Sequence, residues 1–275
     1  MGIDPNIQAP HLLASLILTP EGWHAALAAL EWQMELGVTE ITGEDPVDRY
    51  ALPETPKPAP MAAPALAKAA AAVVSVDAVE VARSAAARAG SLEDLRDAIS
   101  AFEHCELKRG AKTTVFADGN PRARVLILGE APGREEDQEG RPFVGQAGQL
   151  LDRMFAAIGL SRTSADPETA LYITNVLPWR PPQNRDPEPE EIAMLRPFVE
   201  RHIELVDPAV IVAMGNAPCQ CLLGTKGIQR LRGNWAQALG RPVLPMTHPA
   251  YLLRNPATKR EAWADLLSLM GRLTG

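Results

Sequence analysis

The sequence has few cysteines, few aromatic residues and no long uncharged apolar run. Its three cysteines, Cys105, Cys219 and Cys221, are too few for the disulfide framework of a small secreted protein and fit a reducing compartment. No run of 18 uncharged apolar residues occurs, and the N-terminus lacks a basic region followed by an apolar stretch. Neither a membrane span nor a secretory signal is therefore predicted, and we expect a cytoplasmic protein without a membrane partner.

Acidic charge is concentrated in the N-terminal part of the chain. The first 100 residues contain 6 Lys+Arg against 14 Asp+Glu, whereas the remaining residues contain 21 against 20. Binding to nucleic acid draws much of its free energy from lysines and arginines at phosphates. The acidity of the whole chain therefore argues against a nucleic-acid partner, but the nearly neutral C-terminal part removes that objection.

The N-terminal third divides by composition into two regions. Residues 1–50 contain one predicted helix, in which apolar residues recur at three- and four-residue steps between Pro20 and Gly37. Residues 51–90 begin with a stretch rich in proline and alanine that cannot bury enough apolar surface to offset its ordering entropy. We interpret residues 1–50 as a helical extension and residues 51–90 as a linker with a possible helix.

Residues 91–275 have the pattern of a compact α/β domain. The domain begins with a predicted helix over 91–102, where Ser91 and Asp94 form a capping-box pattern. Four short apolar runs follow, each separated from the next by a helical stretch. They are RVLILGE (124–130), LYITNVLP (171–178), AVIVAMG (209–215) and PVLPMTH (242–248). Such runs predict strands buried on both faces, and hence a three-layer α/β/α fold around a four-stranded parallel sheet.

Ligands bind beyond the carboxyl ends of the strands in sheets of this kind. The first run leads into the segment 129–160, whose glycine-rich turn could hold any phosphate or anion but matches neither the P-loop nor the GxGxxG spacing. The second run ends near Asn175, whose side chain can both donate to and accept from the edge of a base or of an amide. The fourth run ends at His248.

Six segments, taken in order and spacing, resemble the family-4 uracil-DNA glycosylases. They are GEAPG, ED, GRPFVGQAGQLLD, YITNV, RPPQNR and HPAYLLRNP. The resemblance runs from about residue 95 to residue 273 and leaves residues 1–90 outside it. It implies a monomeric hydrolase that flips uracil out of DNA and cleaves its N-glycosidic bond. A lyase step is not expected, because no lysine stands at a predicted strand end.

The resemblance assigns three residues to the uracil base. Phe143 matches the aromatic residue that stacks on the extruded base, and Asn175 matches the residue that hydrogen-bonds the uracil edge. His248 matches the histidine at uracil O2, where a donor stabilises the negative charge of the departing base. Ala131 occupies the pocket position at which family-1 enzymes carry an aspartate that positions the attacking water.

Another carboxylate must then position water, unless the DNA phosphates alone stabilise the sugar cation. Glu136 and Asp137 are the candidates, with Glu130 lining the pocket. The acids of REEDQEG could instead form a solvated loop.

The resemblance places further residues along the DNA. Asn184, Arg185 and Arg254 match positions beside the DNA path, and Leu252 or Leu253 would enter the minor groove as a wedge.

Family-4 enzymes usually hold a [4Fe–4S] cluster on four cysteines, and this sequence departs from that pattern. The matching positions are Phe102, Cys105, Trp179 and Leu195, so one of the four ligands remains. We therefore predict no iron and no other cofactor. A zinc site on His104 with the three cysteines is less favoured, because C-x-C spacing on a helix splays the two sulfurs.

Two other functions remain open. The same fold could excise another deaminated base, such as hypoxanthine or xanthine. Alternatively, loss of the cluster could mark a non-catalytic DNA-binding or polymerase-associated module, although the joint presence of Phe143, Asn175 and His248 argues against decay.

Overall fold

A computed structural model describes residues 77–274, together with His24 alone in the N-terminal region. The rest of the predicted helix between Pro20 and Gly37, and the proline-rich stretch, lie outside the described residues. The three predicted regions of the chain therefore stay predictions.

Six strands form one sheet. They are β1 (Ala117–Gly119), β2 (Val125–Gly129), β3 (Leu171–Asn175), β4 (Val210–Met214), β5 (Ala236–Ala238) and β6 (Arg241–Met246). Their order across the sheet is β1-β3-β2-β4-β6-β5, with the four central strands parallel and the two edge strands antiparallel. The predicted α/β fold is confirmed, and the four apolar runs are the four parallel strands. Each edge strand has three residues and none of them is buried, which explains why no apolar run marked them.

Ten α-helices flank the sheet or connect its strands within residues 77–274. They are α1 (Ala78–Arg88), α2 (Leu92–Ala101), α3 (Leu107–Gly110), α4 (Arg134–Glu139), α5 (Gln146–Ala156), α6 (Pro189–Val206), α7 (Asn216–Leu223), α8 (Ile228–Leu231), α9 (Pro249–Arg254) and α10 (Lys259–Thr274). In this part of the chain, no helix combines the length and the apolarity needed to cross a membrane.

Alternation along the strands separates two hydrophobic layers. In β2, Leu126 and Leu128 join the cluster on one face of the sheet, while Val125 and Ile127 join the cluster on the other face. Successive side chains of a strand point to opposite faces, so a strand covered on both sides has to be apolar throughout. The continuous apolar runs of the sequence have this origin.

The N-terminal helices of the described region pack on the sheet domain. Ser91 caps α2 by accepting a hydrogen bond from the Asp94 backbone N–H at 3.1 Å, which confirms the predicted helix start. The preceding helix α1 packs against α6, and Arg201 of α6 donates two hydrogen bonds to the Ala89 carbonyl at 3.0 and 2.8 Å. The possible helix of residues 51–90 is therefore joined to the sheet domain through these contacts.

Candidate active site

A cleft of about 730 Å³ opens at the carboxyl ends of the parallel strands. Its volume is in the range of sites that hold small ligands, and its position is the one expected for an open α/β sheet. Most of the residues predicted from the sequence line it. They are Glu130, Ala131, Glu136, Phe143, Asn175, Asn184, Arg185, His248 and Arg254.

Asn175 and Phe143 meet over Gly129 on the floor of the cleft. A Cβ atom added at Gly129 would overlap both the Asn175 Oδ1 atom and the Phe143 ring, so only glycine fits there. Asn175 is 7% exposed, and its Oδ1 atom has no hydrogen-bond partner among the described residues. A buried acceptor without a partner costs roughly 1–3 kcal/mol. A ligand that brought an N–H group within reach of this atom would remove that cost.

Phe143 holds its ring in the cleft with an unusual backbone conformation. Its φ angle is +53°, in the left-handed region that bulky residues rarely adopt. The neighbouring helix α5 approaches so closely that a Cβ atom at Gly148 would overlap the Phe143 carbonyl. Strained residues of this kind persist only where the surrounding structure fixes them, and they are concentrated at functional sites.

His248 lies at the N-terminus of α9 with its ring centroid 5.4 Å from that of Phe143. Its Nδ1 atom accepts a hydrogen bond from the Ala250 backbone N–H at 3.2 Å, so in the neutral ring the proton is on Nε2. Burial lowers the pKa of His248 to about 4, and the positive charge of Arg254 acts in the same direction against the opposing charge of Glu136. Near neutral pH the imidazole is therefore uncharged and offers Nε2–H as a donor.

Glu130 has a carboxyl group adapted to exchange a proton near neutral pH. The pKa of Glu130 is raised to about 7, mainly by burial and also by the negative charge of Asp186, against the opposing positive charge of Lys226. A group that titrates at the working pH is efficient as a general base or acid.

The two other candidate carboxylates are engaged by backbone amides. Glu136 accepts hydrogen bonds from the N–H groups of Gly133, Val144 and Gly145, each at 3.0 Å, and so shapes the loop that carries Phe143. Asp137 does not line the cleft. Its Oδ1 atom accepts from the N–H groups of residues 112 and 113 at 2.8 and 3.1 Å, so it ties α4 to the segment before β1.

The segment RPPQNR forms part of the cleft rim. Arg185 makes a bidentate pair with Glu191, at 3.0 and 2.6 Å, and Asn184 accepts a hydrogen bond from Arg180 at 2.7 Å. Asn184 has a φ angle of +54°, as expected in a tight turn. The guanidinium of Arg185 is thus occupied in holding this loop.

The two predicted wedge residues differ in accessibility. Leu252 is fully buried against Leu150 and Ala262, because α9 turns that face toward α5 and α10. It cannot enter DNA without leaving this cluster. Leu253 is 37% exposed, and the adjacent Arg254 is exposed while also lining the cleft.

The sequence reasoning missed a part of the cleft wall that follows β4. Gln220 on α7 and Lys226 in the next loop both line the cleft, and Tyr251 lines it from α9. Gly215 ends the third apolar run, but the loop after the following helix returns to the same edge of the sheet. Lys226 is therefore a lysine at the cleft that a search limited to strand ends did not find.

The four positions that match the ligands of the iron–sulfur cluster lie in the hydrophobic core. Phe102, Cys105, Trp179 and Leu195 all belong to one buried hydrophobic cluster, and we call these four residues the Cys105 cluster. Burial raises the pKa of the Cys105 thiol, which disfavours the thiolate that a metal requires. With one thiol among three apolar side chains, these residues do not fit an iron–sulfur cluster. Within residues 77–274, no group of three or more His, Cys, Asp or Glu side chains is arranged to hold a metal ion.

Comparisons with known proteins agree with this geometry. The family model described as the uracil DNA glycosylase superfamily matches residues 116–267. A type-4 uracil-DNA glycosylase from Archaeoglobus fulgidus is 37% identical over 196 residues, covering 67% of this chain and 94% of that protein. A type-4 uracil-DNA glycosylase from Thermotoga maritima is 39% identical, covering 60% of this chain and 84% of that protein. Another, from Sulfurisphaera tokodaii, is 36% identical, covering 62% of this chain and 79% of that protein. The chain belongs to the uracil DNA glycosylase superfamily.

Proposed function

We propose that this protein excises uracil from DNA by hydrolysing the N-glycosidic bond of a nucleotide flipped into the cleft. Membership of the superfamily and the similarity to three proteins named type-4 uracil-DNA glycosylases support this activity. The substrate is uracil-containing DNA, and the reaction belongs to base excision repair.

The buried amide of Asn175 is the single observation that carries the assignment to uracil. Its unpartnered Oδ1 can accept from uracil N3–H, while its amino group can donate to uracil O4. Cytosine has no proton on N3 and carries an amino group at position 4, so in this orientation of the amide it would leave both atoms mispaired. That mismatch costs on the order of 1–3 kcal/mol for each unpaired buried group.

His248 stabilises the leaving base. Uracil departs as an anion, and a donor at O2 meets negative charge that develops only in the transition state. The neutral imidazole supplies such a donor through Nε2–H, because Nδ1 is already occupied by the Ala250 amide. A preorganised donor of this kind contributes about 10²–10³-fold in rate.

Glu130 is the carboxylate best placed to activate water. It lines the cleft with a pKa of about 7, whereas the Glu136 oxygens are occupied by backbone amides and Asp137 lies outside the cleft lining. The ionised form of Glu130 can accept the proton of a water molecule that attacks the sugar as oxocarbenium character develops. Ala131 leaves room beside it.

Two rim residues fit the DNA on either side of the flipped nucleotide. Leu253 is exposed at the end of α9 and can fill the gap left in the duplex, while Arg254 can contact a phosphate. Because Arg185 is paired with Glu191, we assign it to holding the RPPQNR loop at the DNA and not to an independent phosphate contact.

In this proposal the protein works without iron, because the four side chains of the Cys105 cluster include a single thiol and cannot hold an iron–sulfur cluster. Iron analysis and a visible absorption spectrum of the purified protein test this directly. We expect a colourless protein without stoichiometric iron, whereas a brown protein with about four irons per chain would contradict the proposal.

The activity is tested with oligonucleotides that carry uracil, hypoxanthine or xanthine, followed by alkali to cleave abasic sites. Strand scission with uracil alone is the expected result. Scission with the other bases would indicate the broader deaminated-base activity, and no scission with any base would favour a non-catalytic module. A parallel sample without alkali should stay intact, since scission there would reveal a lyase step, for which Lys226 is the lysine in the cleft.

A further inference from the structure

The strained conformation of Phe143 needs a partner that fixes it. The residue has a positive φ angle, and its carbonyl points into a space bounded on one side by Gly148. A bulky residue keeps a positive φ angle only where the surrounding structure fixes its backbone on both sides. A side chain that holds the Phe143 carbonyl therefore also helps to fix the position of the Phe143 ring over Gly129.

Arg162 binds this carbonyl from outside the cleft. Its Nη2 atom donates to the Phe143 carbonyl at 2.9 Å, and its Nη1 atom donates to the preceding Pro142 carbonyl, also at 2.9 Å. The guanidinium thus spans two consecutive carbonyls with the fixed fork that only arginine provides. Its side chain is 9% exposed, and Arg162 is not among the residues that line the cleft.

Two aspartates fix the guanidinium in turn. Arg162 Nε donates to Asp152 Oδ1 at 2.8 Å, and Nη1 donates to Asp118 Oδ2 at 3.1 Å. Asp152 lies on α5 and Asp118 on β1, so the arginine connects a helix and an edge strand to the loop that carries Phe143. Each nitrogen of the guanidinium has at least one acceptor, which leaves the group little freedom to move.

We propose that Arg162 is a positioning residue for uracil excision, which holds the Phe143 ring in its stacking position without touching the base. Because this inference rests on the proposed function, the test must separate the two. Replacing Arg162 by glutamine removes the fork while keeping a polar side chain. Phe143 then leaves the left-handed region, and its ring moves off Gly129.

The kinetic test is a double-mutant cycle with Phe143→Ala, measured as single-turnover excision of uracil at saturating protein. Arg162→Gln should lower the rate constant by about 10-fold in the wild-type background, since misplacing a positioning group by about 1 Å is costly in rate. In the Phe143→Ala background it should have less than about 2-fold effect, because coupled residues are not additive. Affinity for DNA should change little in both backgrounds.

Arg232→Gln is the matched control. Arg232 likewise binds an aspartate, Asp265, at 3.0 Å and a backbone carbonyl, that of Glu261, at 2.8 Å, but it contacts no residue of the Phe143 loop. Its replacement should lower the melting temperature while leaving the excision rate within about 2-fold of wild type. Arg162→Lys, which keeps the charge but not the fork, replaces Arg162→Gln if the latter does not fold, and should lose an intermediate factor of about 3.

A crystal structure of Arg162→Gln supplies a readout independent of activity, with a φ angle at Phe143 outside the left-handed region as the expected result. An active wild-type protein with an unaffected Arg162→Gln variant would overturn this inference alone, as would equal losses in both backgrounds or an unmoved Phe143 ring. A wild-type protein that leaves uracil in place would contradict the proposed function, and the position of Phe143 in the variant would still decide the inference.

Discussion

The Cys105 cluster and the cleft are both built from residues of the sheet domain and its flanking helices, but their polar groups differ in how far the protein itself satisfies them. In the cluster, Trp179 is 1% exposed and its Nε1–H is satisfied by Thr114 at 3.1 Å. In the cleft, Asn175 has an unpartnered buried oxygen, Phe143 has a positive φ angle and Glu130 has a raised pKa.

This difference separates residues that contribute stability from residues that contribute function. A close-packed, fully satisfied interior is what folding alone favours. Violations of that rule are expected where the chain binds or transforms a ligand. Substitutions in the cluster should therefore lower the free energy of unfolding and spare the excision rate, whereas substitutions in the cleft should lower the excision rate without lowering the free energy of unfolding.

The largest effect is expected in the cluster. Trp179→Ala should lower the free energy of unfolding by about 3–5 kcal/mol, because it removes the largest fully buried side chain of residues 77–274 and leaves a cavity. Denaturant unfolding measures this loss, with Trp263→Ala as control, since Trp263 is 43% exposed and should cost less than about 0.5 kcal/mol. Variant protein that remains folded should keep the wild-type excision rate. A lower rate at a low temperature, where the variant is folded, would show that the cluster does not contribute to stability alone.

Next in size is the effect of removing the two side chains that we propose contact the base. Asn175→Ala and His248→Ala should each lower the single-turnover rate by at least ~10²-fold, because each deletes a preorganised contact to uracil. Circular dichroism should show an unchanged fold. His104→Ala, at an exposed histidine outside the cleft, should keep its rate. Wild-type rates in both cleft variants would show that the site is wrongly assigned.

Glu130→Gln should lower the excision rate at pH 8 by about 10²-fold, the lower end of the range for a general base. The wild-type rate should rise with pH through about 7 as Glu130 ionises, whereas the variant profile should be flat there. Glu190→Gln, at an exposed position on α6, is the control for an acid outside the cleft. A variant that retained the wild-type pH profile would exclude Glu130 as the base.

Glu130→Gln should also make the folded protein more stable at pH 8. The folded protein retains the Glu130 proton up to about pH 7, whereas an ordinary glutamate ionises near 4.5. Ionisation of Glu130 therefore weakens the fold progressively as the pH rises from about 4.5 through about 7. At pH 8 the glutamine variant should melt at a higher temperature than wild type, and at pH 4 the two should be alike.

The smallest effect is expected at the rim. Leu253→Ala should slow excision from double-stranded DNA by ~5-fold and leave single-stranded substrate unaffected, because a wedge is needed only where a partner strand stacks. Leu252→Ala should instead act on stability, since Leu252 is buried beside Leu150. Equal losses on both substrates would argue against a wedge role for Leu253.

Much of the fold and the centre of the candidate site could be predicted from the sequence. The continuous apolar runs predicted the four parallel strands because burial on both faces requires apolar residues throughout. The rule that ligands bind at carboxyl ends then brought Asn175 and His248 to one edge, and the cleft lining contains both.

Other features depend on contacts that no local pattern encodes. Glu136 and Asp137 are adjacent acids in one helical turn, and only the surrounding backbone amides distinguish their roles. Arg162 lies in a polar loop without a motif, so its hydrogen bonds to the Phe143 loop appear only in three dimensions. The edge strands β1 and β5 are too short and too exposed to leave an apolar signal.

The most direct measurement is a crystal structure of the protein with an oligonucleotide that carries 2′-fluoro-2′-deoxyuridine, whose electron-withdrawing substituent slows cleavage. We predict that the uracil stacks on Phe143, donates its N3–H to Asn175 Oδ1 and receives a hydrogen bond from His248 Nε2 at O2. A base bound elsewhere, or one whose Watson–Crick edge faces away from Asn175, would contradict the account.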